Sequence, residues 1–118
     1  SVLLEEASKW FLVKGEVPYM NQVVYIRGFN RKPPAIYLPS ATHVDNTARV
    51  HTVTEKQNPR YYKLLSELKV KTGIGVVLNT SFNLKDQTIT LDPKQAIERF
   101  LDSEIDYLVI NNYLILKS

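Results

Sequence analysis

No cysteine occurs among the 118 residues, which excludes a disulfide framework, a thiolate zinc site, an iron–sulfur cluster and a cysteine nucleophile. With only 4 glycines and 6 prolines the chain is neither collagenous nor of low complexity, and 44% apolar against 23% charged residues excludes disorder on composition. Long apolar runs are missing as well. Leu108-Val109-Ile110 and Val76-Val77-Leu78 fall far short of the ~20 residues that a membrane-spanning helix requires, so no membrane partner is expected. Ser1-Val2-Leu3-Leu4-Glu5-Glu6 lacks the basic start and the small-residue cleavage site of a secretory signal, and its two acids argue against a transit peptide; the expected location is cytoplasmic. Neither charge dominates, with 15 basic against 12 acidic residues and a net charge of +3. Arg27, Arg31 and Lys32 make the nearest thing to a basic cluster and read first as a solvated loop. A nucleic-acid partner is therefore the weaker reading, and a small anionic ligand fits the same charge equally well.

The length suits one globular unit with a core of its own. Val2, Leu3, Ala7, Trp10 and Phe11 recur at helical spacing behind Ser1, a candidate N-cap, which predicts a helix from residue 2 to about 11, with Gly15 ending the excursion. Val23, Val24, Tyr25 and Ile26 predict a core strand between Tyr19 and Arg27. Gly28, Pro33, Pro34 and Pro39 mark a loop, and residues 47–53 alternate as a two-faced strand. Asn58-Pro59 opens a helix to about residue 72, with a stripe of Tyr61, Leu64, Leu65 and Leu68 and a left-handed stop at Gly73. Residues 75–79 read as a buried internal strand. Asp92-Pro93 opens a second helix to about residue 102, with Gln95 completing a variant capping box. A closing hairpin pairs residues 106–110 with 113–116 through Asn111-Asn112. This order favours a mixed, partly open sheet covered by helices.

Two constellations carry chemistry. Asn79-Thr80-Ser81-Phe82-Asn83 presents two amides and two hydroxyls directly after the expected strand, where an open α/β sheet binds phosphate or ribose oxygens. The opposing reading, at even odds, is a polar turn that satisfies its own backbone. In His43-Val44-Asp45-Asn46-Thr47-Ala48-Arg49-Val50-His51, Arg49 offers a planar fork to phosphate or carboxylate, while Asp45 is placed to pair with Arg49 or His43. His43, His51 and Asp45 match no metal-ligand spacing, and Ser81, His43 and Asp45 lack the glycine-flanked elbow of a nucleophilic triad. Tyr61 and Tyr62 could stack on a base, though packing in the helix stripe is favoured about three to one.

Residues 42–53, Asn58-Pro59-Arg60-Tyr61-Tyr62, Gly75-Val76-Val77-Leu78-Asn79-Thr80-Ser81-Phe82-Asn83, Asp92-Pro93-Lys94-Gln95-Ala96-Ile97 and the run from Asp106 to Ile115 resemble, in order and spacing, the C-terminal domain of the carbamoyltransferase family of NodU, CmcH and TobZ. The resemblance spans essentially the whole chain. It implies a YrdC-like α/β (α+β) fold, incomplete here, within a bacterial ATP-dependent O-carbamoyltransferase. In that family this domain binds ATP, with Mg, and carbamoyl phosphate, and forms carbamoyl adenylate. An N-terminal metal-containing transferase domain, expected outside this chain, then passes the carbamoyl group to a hydroxyl acceptor. Carried onto matching positions, Arg49 would hold phosphate or carbamoyl oxygens, Ser81 and Asn83 would form the Ser-x-Asn element of the nucleotide site, and Asn79, Thr80, Thr42 and His43 would be further contacts. Adenylation consists largely of charge stabilisation and phosphoryl alignment, which suits Arg and hydroxyl donors. No metal site is expected within the chain.

Two departures stand out. The family's Lys- and Arg-rich segment, which precedes the helix expected near Ser1, is absent from this sequence, so the chain alone is expected to be inactive. Leu84-Lys85-Asp86-Gln87-Thr88 replaces a stretch where the family has a Gly and a Glu-Pro. The rival readings are a non-catalytic ligand-binding or subunit-docking module and a YrdC-like RNA-binding domain. A homodimer through an unpaired sheet edge is a further expectation.

Overall fold

The computed structural model describes residues 1–27 and 38–117; Gly28, Arg31, Lys32, Pro33 and Pro34 of the expected basic loop lie outside the described residues. The chain divides into two compact units, Ser1–Asn79 and Thr80–Ser118. Both α-helices and β-strands contribute, in small sheets of parallel and antiparallel pairing, and no barrel closes among the described residues. The mixed, partly open α/β expectation holds.

In the first unit, β1 (Val2–Leu3) runs directly into α1 (Leu4–Trp10), so the expected helix begins two residues late. Ser1 does not cap it. The Ser1 hydroxyl instead lies 3.0 Å from His51 Nδ1, and Val2 and Leu3 pair in parallel with Thr52 and Val53 of β4 (Thr52–Val53). Helix α1 stops at Trp10 because Phe11 turns extended, at φ −130°, and bridges Ile26 in the core. Burying that aromatic outweighs another helical turn. Gly15, at φ 73°, serves the following loop rather than the helix end.

Strand β2 (Gln22–Tyr25) pairs antiparallel with β3 (Thr47–Val50), with Val23 opposite Arg49 and Val24 opposite Ala48. It is not the core strand its β-branched residues predict. Val23 and Tyr25 are 55% and 61% exposed, because β2 lies on β3 alone among the described residues. β-propensity reports fit to a pleated surface, not burial. The expected single strand over residues 47–53 changes partners at His51: β3 serves β2, while β4 serves β1. Strict alternation fails there. Thr52 is fully buried, and its Oγ1 accepts the Val17 N–H at 2.7 Å while its own N–H donates to Val17 O at 2.9 Å.

Helix α2 (Pro59–Thr72) forms as its local signals dictate: Asn58 Oδ1 accepts the Tyr61 N–H at 3.1 Å, and Gly73 takes φ 77°. Its stripe is centred on Leu65, which is fully buried with Leu3 and Val53, whereas Leu64 is 58% exposed. Losing the Leu65 side chain would cost about 2–5 kcal/mol. Tyr61 and Tyr62 pack on the same cluster, so the packing reading holds. Glu6 joins the two helices, 2.7 Å from Lys9 and 3.1 Å from Lys69; Lys9 first, then Lys69, hold its carboxyl below the usual range. Gly75 is buried, and a Cβ there would meet Lys69 Cβ at 3.1 Å. The expected strand over residues 75–79 reduces to one bridge, Val76 to Val2, with Leu78 already 57% exposed.

In the second unit α3 (Pro93–Leu101) is capped by Asp92 Oδ1, which accepts the Gln95 N–H at 2.8 Å. Gln95 reaches back one residue further than a capping box requires, to the Leu91 N–H at 3.3 Å. Ala96 and Phe100 are buried, and the Lys117 ammonium lies 5.0 Å over the Phe100 ring. β5 (Tyr107–Ile110) and β6 (Tyr113–Leu116) form the expected hairpin, with Asn111 at φ 53°.

Candidate functional site

Four of the seven expected site residues gather in the first unit. Thr42, His43, Arg49 and Asn79 line one cleft of about 240 Å³, together with Ser1, Met20, Ser40 and apolar residues that include Val2, Ala48 and Val76. A 3₁₀ turn (Pro39–Ala41) and the tight turn into β3 bring Thr42 and His43 to it. Arg49 comes from β3, and Asn79 from the end of the segment that bridges β1.

The turn at His43 is built by its own side chains. Asp45 Oδ1 accepts from the Thr47 hydroxyl at 2.6 Å and from the Thr47 N–H at 3.2 Å, while Asn46 takes φ 66°. The Thr47 hydroxyl, first, and its N–H hold the Asp45 carboxyl below the ordinary carboxylate range. Asp45 therefore pairs with neither Arg49 nor, directly, His43. Thr47 Oγ1 has given its proton to Asp45, so at its 2.9 Å contact it accepts from His43 Nδ1–H. For a neutral ring this network selects the Nδ1–H tautomer of His43, with Nε2 an acceptor. Thr42 Oγ1 donates to Leu38 O at 2.6 Å, so it too offers a ligand an acceptor oxygen. Asn79 Nδ2 donates to Met20 Sδ at 3.0 Å, leaving Oδ1 to accept. Met20 itself sits at φ 55°, a conformation uncommon outside glycine and one that is concentrated at functional sites. Arg49 is exposed and forms no ion pair among the described residues.

His51 is engaged apart from this group, against Ser1 and with its ring centroid 6.1 Å from that of Tyr61. Burial lowers its pKa. Among the described residues no three His, Asp or Glu side chains gather as a metal site.

Thr80, Ser81 and Asn83 belong to the second unit. Ser81 Oγ donates to Asn83 Oδ1 at 2.5 Å, and Asn83 Nδ2 donates to Gln87 O at 3.2 Å and Leu84 O at 3.3 Å. Thr80 is exposed. The side chains thus hold their own turn, and the Ser81 lone pairs and one lone pair of Asn83 Oδ1 remain. In Leu84-Lys85-Asp86-Gln87 the Gln87 N–H donates to Leu84 O at 3.1 Å, and Asp86 takes φ 64°, a left-handed position that Asp tolerates better than most residues. The sequence reading missed a second layer behind this turn. Phe82 O accepts from the Thr90 N–H at 3.0 Å and from Thr90 Oγ1 at 2.6 Å, and Arg99 Nη1 donates to Thr90 Oγ1 at 2.8 Å. Met20, Thr90 and Arg99 carry no local motif that could have announced them.

Chemically, the first cleft combines one guanidinium with three acceptors. That set suits a ligand anionic at one end and rich in N–H or O–H donors at the other.

Comparison with known proteins gives the family. A family model described as carbamoyltransferase C-terminus matches residues 1–117. An uncharacterized protein of Synechocystis is 37% identical over all of this chain and 22% of its own length. Nodulation protein NolNO of Sinorhizobium fredii is 38% identical over 99% of the chain and 17% of its own length. A 3'-hydroxymethylcephem-O-carbamoyltransferase of Amycolatopsis lactamdurans is 38% identical over 71% of the chain and 15% of its own length. The chain thus spans about a fifth or less of the curated relatives it matches. It belongs to the carbamoyltransferase family, whose C-terminal domain it carries.

Proposed function

We propose that the chain is the substrate-activating part of an ATP-dependent O-carbamoyltransferase: it binds ATP, with Mg, and carbamoyl phosphate, water releases carbamate and phosphate from the latter, and a carbamate oxygen attacks the α-phosphorus of ATP to give carbamoyl adenylate as pyrophosphate leaves. A transferase domain elsewhere on the polypeptide passes the carbamoyl group to a hydroxyl. The observation that carries this reading is the donor and acceptor set of the first cleft. Arg49 suits phosphoryl oxygens, while Asn79 Oδ1, His43 Nε2 and Thr42 Oγ1 accept hydrogen bonds, and carbamoyl phosphate has both an anionic end and an amide that donates. At about 240 Å³ the cleft is smaller than the ~300–1,000 Å³ of pockets for drug-sized molecules, which favours a small anion there over a whole nucleotide. Ser81 and Asn83 of the second unit are the proposed contacts for ATP.

The test is an amide NMR titration of the 118-residue chain with carbamoyl phosphate, acetyl phosphate and ATP. Saturable shifts at residues 42–49 and at Asn79 with carbamoyl phosphate are expected. Acetyl phosphate, with a methyl in place of the amide, should bind at least ~10-fold more weakly, because the acceptors are left unpaired. ATP should move residues 80–83. Equal affinity for the two acyl phosphates, or no response to any of them, defeats the reading.

A further inference from the structure

Phe82 O, between Ser81 and Asn83, is saturated without Arg99. A carbonyl oxygen has two lone pairs, and Thr90 fills both, through its N–H at 3.0 Å and its hydroxyl at 2.6 Å. The Arg99 Nη1 contact to the same oxygen, at 3.5 Å, adds little. The good bond that Arg99 makes is to Thr90 Oγ1, at 2.8 Å, which anchors the guanidinium beside the turn while its other N–H donors make no hydrogen bond among the described residues. Arg99 is half-buried on α3 and forms no ion pair among the described residues; its neighbour Glu98 lies 3.9 Å from Lys94 instead. A partly desolvated cation without a counter-charge is costly unless something anionic meets it. A turn that needed only bracing would be served by Thr90 alone.

We propose that Arg99 is the anion-binding residue of the Ser81–Asn83 turn, held by Thr90 so that the remaining N–H donors of its fork take a phosphoryl oxygen of the ligand. This deepens the nucleotide reading of that turn and rests on it for the identity of the ligand. A guanidinium gives the turn the positive charge that its own hydroxyls and amides lack.

The test is the affinity of the 118-residue chain for inorganic pyrophosphate and for ATP, read from the amides of residues 80–83 in the wild type, Arg99→Gln and Arg99→Lys. Glutamine keeps a donor for Thr90 and removes the charge; lysine keeps the charge and removes the fork. Expected are a loss of about tenfold or more in Arg99→Gln, a flatter salt dependence in that variant, partial recovery in Arg99→Lys, and ligand-free shifts at wild-type positions in both. Wild-type pyrophosphate affinity in Arg99→Gln would overturn the proposal. So would displaced ligand-free shifts in Arg99→Gln together with no recovery in Arg99→Lys, the mark of a bracing role, or a wild type that ignores pyrophosphate. A wild type that binds pyrophosphate through Arg99 but not ATP supports the anion site and removes the nucleotide reading instead.

Discussion

The Asn79 carboxamide donates to the thioether sulfur of Met20 at 3.0 Å, and Met20 holds a left-handed backbone conformation to receive it. Met20 is the only methionine in the chain, so one [methyl-¹³C]methionine signal reports on the cleft. That signal is expected to shift on titration with carbamoyl phosphate. Met20→Leu keeps the apolar volume and removes the acceptor, freeing the Asn79 amide to rotate. We expect carbamoyl phosphate affinity to fall by roughly threefold to tenfold, the worth of one modest hydrogen bond. Unchanged affinity would assign Met20 to packing alone.

Arg49→Ala, which removes an exposed guanidinium, and Ser81→Ala, whose hydroxyl would have to leave Asn83 Oδ1 to donate to the ligand, each in the polypeptide that carries the transferase domain, are expected to lower carbamoyl adenylate formation by ~10²-fold or more, as loss of a transition-state donor does. Adenylate formation, followed as pyrophosphate release, is the measurement. Turnover close to wild type in either variant would remove that residue from the proposed role.

Thr52 is fully buried, and its hydroxyl is the acceptor for the Val17 N–H. Thr52→Val preserves the shape and orphans that N–H, at an expected cost of about 1–3 kcal/mol of unfolding free energy. Thr52→Ser restores the acceptor and gives up only a buried methyl group. Urea unfolding of the two variants should therefore rank serine above valine, and the reverse order would show that packing outweighs the hydrogen bond.

His51 is one of two histidines, and its folded pKa lies below its ordinary value of 6.5, chiefly through burial. The unfolded chain then binds more protons just below that pH, so the stabilising contribution is complete above about 6.5 and is lost as pH falls through the folded pKa. The urea midpoint should drop between pH 7.5 and pH 5.5 and flatten in His51→Gln. The same drop in the variant would place its origin elsewhere.

Asp86 occupies a positive φ, 64°, in the turn Leu84-Lys85-Asp86-Gln87. Asp86→Gly should relieve left-handed strain of about 1–2 kcal/mol, less the entropy glycine adds to the unfolded chain, a net gain of a few tenths to 1 kcal/mol. Thermal unfolding measures it.

Both long helices were readable because their signals are local. Asn58-Pro59 and Asp92-Pro93 satisfy first-turn N–H groups within three residues, and Gly73 needs nothing beyond its missing Cβ. The closing hairpin was readable for the same reason. Burial was not: Val23 and Tyr25 look like core, yet their exposure depends on which strands lie alongside. The partner exchange at His51 and the single bridge at Val76 are decided by pairing with Val2 and Leu3, residues that by periodicity belonged to a helix.

The sequence by itself determined the family, the boundaries of α2 and α3 and the residue types that carry charge and hydrogen bonds, because these depend on side chains close together along the chain. Only the tertiary structure decided what each of those groups has left to offer. Bringing Thr47 between Asp45 and His43 selects the acceptor nitrogen of the imidazole, and Met20 takes the Asn79 N–H and leaves its oxygen. Thr90 likewise saturates Phe82 O and takes one N–H of Arg99, whose other N–H donors make no hydrogen bond among the described residues. Each hydrogen bond consumes one donor and one acceptor, and which ones are consumed depends on neighbours that folding supplies.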